Sequence, residues 1–405
     1  MARTQKAAPP VVEKKSLADQ IRSKARKKVP AKAKVEEDDI EDVPFDPADF
    51  VSSGSTLLNL ALTNHPDCGW KLGRMANVIG DSGAGKTVLC MTSIAETCND
   101  SKKKDVNTKF DDGEHAYEFN TRKMFGKKTD DRLTFVDPPS DNIEQFSDNL
   151  SDAIKEEEPF IYVLDSFDSL GCEDDTKHIE SERLIRQGKS KAKSKGSYGT
   201  AKPKLASQLL REECGKLSDS KGALLIISQT RDNLALFSFE KKTRSGGRAL
   251  KFYATHEVWI IYTGAIKEKG LQIGAETEIK VRKNKITGKK RSIEINVYDD
   301  YGIDNIGSCI DFLVKSKWWS YAAKEKAPVV KGKVARVAKD DDDKVSTTKP
   351  INTKGDLGDC EAMSKLKLIE YIEEEGLEKE LKDATAACWW DIEESVKLKR
   401  KSKYA

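Results

Sequence analysis

The chain has 405 residues, 71 Lys+Arg against 68 Asp+Glu for a formal net charge of +3, with 37% of its residues hydrophobic and 34% charged. At roughly 150 residues per domain this length accommodates two or three units. A mean hydropathy of −0.63 and no apolar run near the ~18 residues of a membrane helix argue against a spanning helix and for no membrane partner.

Position matters more than the net charge. Residues 1–34 hold eleven Lys/Arg and two acids, whereas residues 35–50 hold eight acids and no base. Such opposite-sign blocks read as a solvated, disordered arm over residues 1–49. Its opening MARTQKAAPP has no apolar leader, so a cytoplasmic location is expected. Within Phe45-Asp-Pro-Ala48, an F-x-x-A sequence, the reading is a plain linker with a buried Phe. The eight Cys are scattered without a C-x-x-C, and only four His are present, which argues against a zinc centre and for reduced thiols.

From about residue 50 to 320, short apolar runs alternate with helix-like stretches, as in a parallel sheet covered by helices. The runs are Met75 to Ile79, Asn107 to Phe110, Leu133 to Val136, Phe160 to Leu164, Ala223 to Ile227 and Val258 to Tyr262. Thr277 to Arg282 and Ser292 to Val297 read as further strands with NKITGKK turning between them. Residues 321–360 are Lys/Ala/Val-rich without a sustained period, a flexible linker. Residues 361–405 read as a small helical unit: one helix begins after Ser364 and stops at Gly376, and a second covers Glu378 to Lys397 with Trp389 and Trp390.

The strongest motif is Gly80-Asp81-Ser82-Gly83-Ala84-Gly85-Lys86-Thr87, a full G-x-x-x-x-G-K-T between an apolar run and a helix-like stretch. Glycines let backbone N–H groups wrap phosphates at a helix N-terminus, Lys86 would reach the β/γ-phosphates, and the Thr87 hydroxyl would hold Mg²⁺. Asp165 closes the run Phe-Ile-Tyr-Val-Leu, 79 residues after Lys86, and reads as the acid associated with Mg²⁺ or as the cap of a turn. Glu114 follows the Asn107 run and Gln229 follows the Ala223 run. A carboxylate near a γ-phosphate can deprotonate water and an amide can sense that phosphate. The stretch 183–204 carries eight bases and no acid, a candidate footprint for a polyanion.

These residues resemble the RecA recombinase family in one order from about residue 52 to 319. SSGSTLLNLAL resembles the lead into its ATPase core, GDSGAGKT its P-loop, DDGEHA its D-A-E-H-A, VLDSFDSL its Walker B strand and IISQTR its N-Q-I-R. SGGRALKFYAT, VRKNKI and GIDNIGSCIDFLVKSK resemble later segments. The resemblance implies an α/β fold: a RecA-like P-loop NTPase core with a mostly parallel central sheet. It implies Glu114 as general base, Gln229 as γ-phosphate sensor, and Lys283 and Lys285 as lysines that cross to a neighbour's ATP. It also implies two DNA-binding loops, about 171–204 and 230–247.

Residues of those loops suited to phosphates and bases are Lys189, Lys191, Lys193, Lys195 and Tyr198 in the first. In the second and its flank they are Arg231, Phe237, Phe239, Lys241, Lys242, Arg244 and Arg248. The chain departs from the family pattern in a longer, more basic first loop, in Arg248 for the usual Asn, and in Glu118 and Thr121 where Asp and Tyr are common. The expected function is an ATP- and Mg²⁺-dependent recombinase, a DNA-dependent ATPase. It would polymerise on single-stranded DNA and pair it with homologous duplex. A ring helicase, a recombination-mediator ATPase and a non-enzymatic single-strand binding or annealing protein are the alternatives.

Overall fold

A computed structural model of the chain describes residues 45–156, 158–187, 201–232, 242–244, 247–322 and 345–400. Of the charged arm expected over residues 1–49, only residues 45–49 lie among them.

β1 (Phe50–Val51) pairs antiparallel with β2 (Trp70–Lys71). A separate central sheet runs in spatial order from β12 (Gly302–Asp304) through β11 (Ser292–Tyr298), β10 (Leu271–Asn284), β9 (His256–Glu268), β3 (Met75–Gly80), β7 (Gly222–Asp232), β6 (Phe160–Leu164) and β4 (Asn107–Asp111) to β5 (Leu133–Phe135), with β8 (Lys242–Arg244) paired to β7 off that path. β3, β4, β5, β6, β7 and β9 form its parallel part. β10, β11 and β12 add an antiparallel flank. Alternation along the parallel strands explains the two-sided core. Val78, Ile161, Val163, Leu225 and Val258 face one cluster, whereas Tyr162, Leu164, Leu224 and Ile226 face the other.

Helices cover both faces. On the first lie α1 (Thr56–Thr63), started by the Ser55 side chain accepting from Leu58 N, and α2 (Lys86–Asn99), which buries Leu89 and Ile94. Two short helices, α3 (Thr121–Phe125) and α4 (Lys127–Arg132), lead into β5. The second face holds α5 (Ile143–Lys155), capped by Asn142, with α6 (Glu173–Arg186) following β6. α7 (Ala201–Asp219) and α8 (Gly247–Tyr253) complete that layer through Leu209, Leu210 and Leu250. The stretch expected as the first loop therefore opens with a helix, whose first turn carries Glu173, Asp174 and Asp175 where the helix dipole favours acids.

After β12, Asp304 caps α9 (Asn305–Lys315) by accepting from Gly307 N at 2.7 Å. Within the segment read as a linker, Ile351–Asn352 forms a strand paired with Ser320–Tyr321, and Asp356 accepts from the indoles of Trp318 and Trp319 at 2.9 and 2.7 Å. α10 (Lys365–Glu375) and α11 (Glu378–Ser395) then pack on the first cluster through Leu368, Ile372, Leu381 and Trp389. Polar contacts fix their placement. Trp389 and Trp390 donate to the side chain and backbone carbonyl of Asn64, each at 3.0 Å. Glu393 accepts from Arg291 at 2.5 and 2.8 Å and from Lys289 at 2.7 Å. The Arg291 guanidinium, ahead of Lys289, pulls the Glu393 carboxyl down to about 2.

Phe45 is 43% exposed, contrary to the expected buried Phe. Asp46 caps a helical turn at Pro47–Asp49, and the chain leaving that turn sends Phe50 into the interior instead.

Candidate active site

The parallel strands β3, β7, β6 and β4 are consecutive neighbours, so residues from four distant parts of the chain leave the sheet at one carboxyl edge. Along that edge a cleft of about 440 Å³ is lined by Gly83 to Val88, Asp112, Glu114 and Asp165, with Tyr117, Phe119 and Tyr298 as its aromatic wall.

The phosphate loop follows β3. Gly83 and Gly85 have φ of +72° and +89°, the left-handed region that L side chains avoid, so glycine lets the loop turn back on itself. At Gly80 an added Cβ would stand 2.7 Å from the carbonyl of Ile260 on β9, so the strand pair fits only with glycine there. Gly80, Asp81, Ser82, Gly83, Ala84 and Gly85 together deliver their backbone to the N-terminus of α2, the positive end of its dipole. Lys86, the first residue of that helix, is 8% exposed and donates from Nζ to Asp81 O at 2.8 Å. Burial lowers its pKa, and Asp165 and Glu114 oppose the shift.

At the end of β6, Asp165 Oδ2 accepts from the Thr87 hydroxyl at 2.5 Å. Burial raises the Asp165 carboxyl to about 6, with the Thr87 hydrogen bond acting the other way. A desolvated carboxylate beside a hydroxyl at a helix N-terminus is an all-oxygen donor set. It fits a hard divalent cation that keeps waters and phosphate oxygens as its other ligands. The glycine-lined cleft fits the nucleotide phosphates that such a cation accompanies.

Glu114 Oε1 accepts from Ser166 Oγ at 2.5 Å and from Gln229 Nε2 at 3.1 Å. Its own N–H donates to Asp165 O at 3.0 Å, and Gln229 N donates to Asp168 Oδ2 at 2.5 Å. The Glu114 carboxylate, the Gln229 amide and the backbone carbonyl of Asp165 are thus joined in one network.

Sequence reasoning missed several members. Ser166 and Asp168 stand in the polar run directly after β6, which is the signal that could have marked them. Tyr117 and Phe119 lie five and seven residues after Asp112. Asp112 Oδ2 accepts from Tyr117 N at 3.0 Å, turning that segment toward the cleft. The Asp81 side chain was also passed over. It accepts from Thr230 Oγ1 and from Lys242 Nζ.

The remaining expected residues are placed as follows. Lys283 donates to the carbonyls of Lys251 and Phe252, and Lys285 to that of Phe252 at 3.4 Å, so both meet the C-terminal carbonyls of α8. Neither is among the residues lining the cleft. Arg231 is exposed on β7 and Lys242 sits against Asp81. Arg244 and Arg248 are described in backbone only, the first paired with Thr230 and the second within α8. Lys189, Lys191, Lys193, Lys195, Tyr198, Phe237, Phe239 and Lys241 lie outside the described residues.

A parallel sheet whose adjacent strand ends carry a phosphate loop, a hydroxyl–carboxylate pair and a carboxylate–amide pair defines a P-loop nucleotide-binding protein. The model of the RecA N-terminal domain matches residues 40–304. That is more than half of the chain, which therefore belongs to the RecA family. Its relatives include Protein RecA of Rhodospirillum rubrum, 28% identical over 280 residues, covering 67% of this chain and 69% of that protein. Protein RecA of Zymomonas mobilis is 29% identical over 268 residues, 66% of this chain and 69% of the relative. Protein RecA of Nitrobacter winogradskyi is 29% identical over 284 residues, 67% and 71% respectively.

Proposed function

We propose that this protein is an ATP-dependent DNA recombinase that forms a filament on single-stranded DNA and pairs it with homologous duplex, working in the cytoplasm. The observation that carries the reading is the hydrogen bond from Gln229 to Glu114, because it joins the strand that feeds the second loop to the carboxylate in the nucleotide cleft. A residue at that junction can make the loop's conformation depend on what occupies the cleft.

In this reading Lys86 and the N-terminus of α2 hold the phosphates, and Thr87 with Asp165 holds Mg²⁺. Bound there, Mg²⁺ would supply charge neutralisation for the phosphates. Glu114 Oε1 takes the proton of the attacking water, while the Gln229 amide turns from Glu114 toward the γ-phosphate. Lys283 and Lys285 stand outside the cleft lining of their own chain, which suits a role in a neighbour's cleft. Hydrolysis then depends on assembly. The basic loops supply sequence-independent phosphate contacts, so DNA affinity falls steeply with salt.

The test is strand exchange between a circular single strand and homologous linear duplex, run beside phosphate release, with Glu114→Gln as control. The reading expects ATP- and DNA-dependent exchange in the parent. In the variant it expects retained nucleotide binding with turnover lowered by about 10²–10⁴-fold. Unwinding of a forked duplex without exchange would assign a helicase instead. DNA binding or annealing without DNA-stimulated phosphate release would assign a non-enzymatic protein.

A further inference from the structure

Asp81 is the second residue of the phosphate loop, yet its carboxylate takes two partners from two other strands. Oδ1 accepts from the Thr230 hydroxyl and Oδ2 from the Lys242 ammonium. Thr230 lies on β7 one residue after Gln229, and Lys242 opens β8. The two strands pair antiparallel, Thr230 with Arg244 and Asp232 with Lys242. One carboxylate therefore grips both legs of the hairpin from which the second loop emerges. The Lys242 hydrogen bond, with that of Thr230, lowers the Asp81 pKa, so the grip is ionic at neutral pH.

The backbone of the same residue is engaged from the other side, since Lys86 Nζ donates to Asp81 O at 2.8 Å. Asp81 is thus shared between the lysine that holds phosphates and the lysine at the root of the loop. Phosphates entering the cleft compete with the Asp81 carbonyl for the Lys86 ammonium, so nucleotide binding reaches the residue whose carboxylate holds Lys242. The pair is half-exposed, 48% at Lys242 and 38% at Asp81, which makes it weak enough to be exchanged.

We propose that Asp81 is a positioning residue that latches the base of the second loop to the phosphate loop in the nucleotide-free protein, and that release of this latch contributes to the rise in DNA affinity when nucleotide binds. The second half of this statement rests on the recombinase reading above; the first does not.

Two measurements separate them. Hydrogen exchange of the Thr230–Asp232 and Lys242–Arg244 amides is followed without nucleotide or DNA in the parent, Asp81→Asn, Lys242→Gln and Lys242→Arg. The latch expects exchange about two- to fivefold faster in Asp81→Asn and Lys242→Gln, matching the worth of an exposed ion pair, and near-parent exchange in Lys242→Arg. Affinity for an oligo-dT strand is then measured with and without a non-hydrolysable ATP analogue and Mg²⁺. Asp81→Asn is expected to bind DNA two- to fivefold more tightly than the parent without nucleotide, so its response to the analogue shrinks. Unchanged exchange in Asp81→Asn would overturn the latch, and faster exchange with an unchanged nucleotide response would overturn its coupling to DNA. Failure of every protein to bind DNA would strike the recombinase reading and the coupling with it, while the exchange rates alone would still decide the latch.

Discussion

Asp165 is held where its charged form is costly, and replacing it by Asn should make the empty protein more stable. Burial raises its carboxyl from an ordinary 3.8 to about 6. A folded-state pKa above the unfolded one means that the folded protein binds this proton more tightly, so stability falls as pH rises between about 4 and 6 and the full cost is present above 6. Two pH units correspond to about 3 kcal/mol, an upper bound because the Thr87 hydroxyl keeps an acceptor only in part when Asn replaces Asp. A gain of about 1–3 kcal/mol at pH 7 is expected for Asp165→Asn. The assay is urea unfolding followed by Trp fluorescence, with EDTA and no nucleotide, at pH 4 and pH 7. The variant should exceed the parent at pH 7 and match it near pH 4. With saturating Mg²⁺ and ATP analogue the order should reverse, because only the parent gains ligand stabilisation at this site. Equal stability of the two proteins at pH 7 without ligand, or a gain that persists undiminished at pH 4, would refute the argument.

Other perturbations reach different parts of the molecule. Lys86→Ala removes the buried ammonium of the phosphate loop and should abolish binding of a fluorescent ATP analogue while leaving the far-ultraviolet circular dichroism unchanged. Lys283→Ala should lower DNA-stimulated turnover without weakening nucleotide binding by the isolated chain. Equal DNA-stimulated turnover in variant and parent would remove the cross-subunit role. Glu393→Gln should cost about 2 kcal/mol at pH 7, read as a shift in the urea midpoint. Its carboxyl is pulled down to about 2, so the stabilisation is present above about 4.5 and is lost as pH falls through 2.

Local pattern revealed what local physics decides. β6 is five consecutive apolar residues, all buried, and its ends coincide with the ends of the apolar run. β9 and β10 run well past the apolar stretches that marked them, because the hairpin continues as a paired ladder where exposed polar side chains such as Lys267 and Gln272 stand opposite each other and hydrophobicity no longer signals it. Gly80 to Thr87 was legible as a glycine-rich motif between an apolar run and a helix-like stretch, and Asp165, Glu114 and Gln229 as polar residues after apolar runs. That their strands are immediate neighbours was not, since pairing order is a long-range property. The same limit hid the Asp81 contacts, which join residues 149 and 161 positions apart in sequence. It also hid the seating of α11, where the helix was plain but the partners of its two Trp, both supplied by Asn64, were not.

β7 outruns its neighbour. β3 ends at Gly80, opposite Gln229, whereas β7 continues through Thr230, Arg231 and Asp232 with only the short β8 beside it. The strand is thus paired on both sides as far as Ile226 and on the β3 side as far as Gln229, the residue that touches Glu114; beyond it the sheet's parallel ladder ends. Bending is cheapest where that ladder ends, so deflection of the strand end pivots at Gln229 and the long ladder behind it stays still. A turn of the Gln229 amide would then be carried into Thr230 to Asp232 without sliding of the sheet.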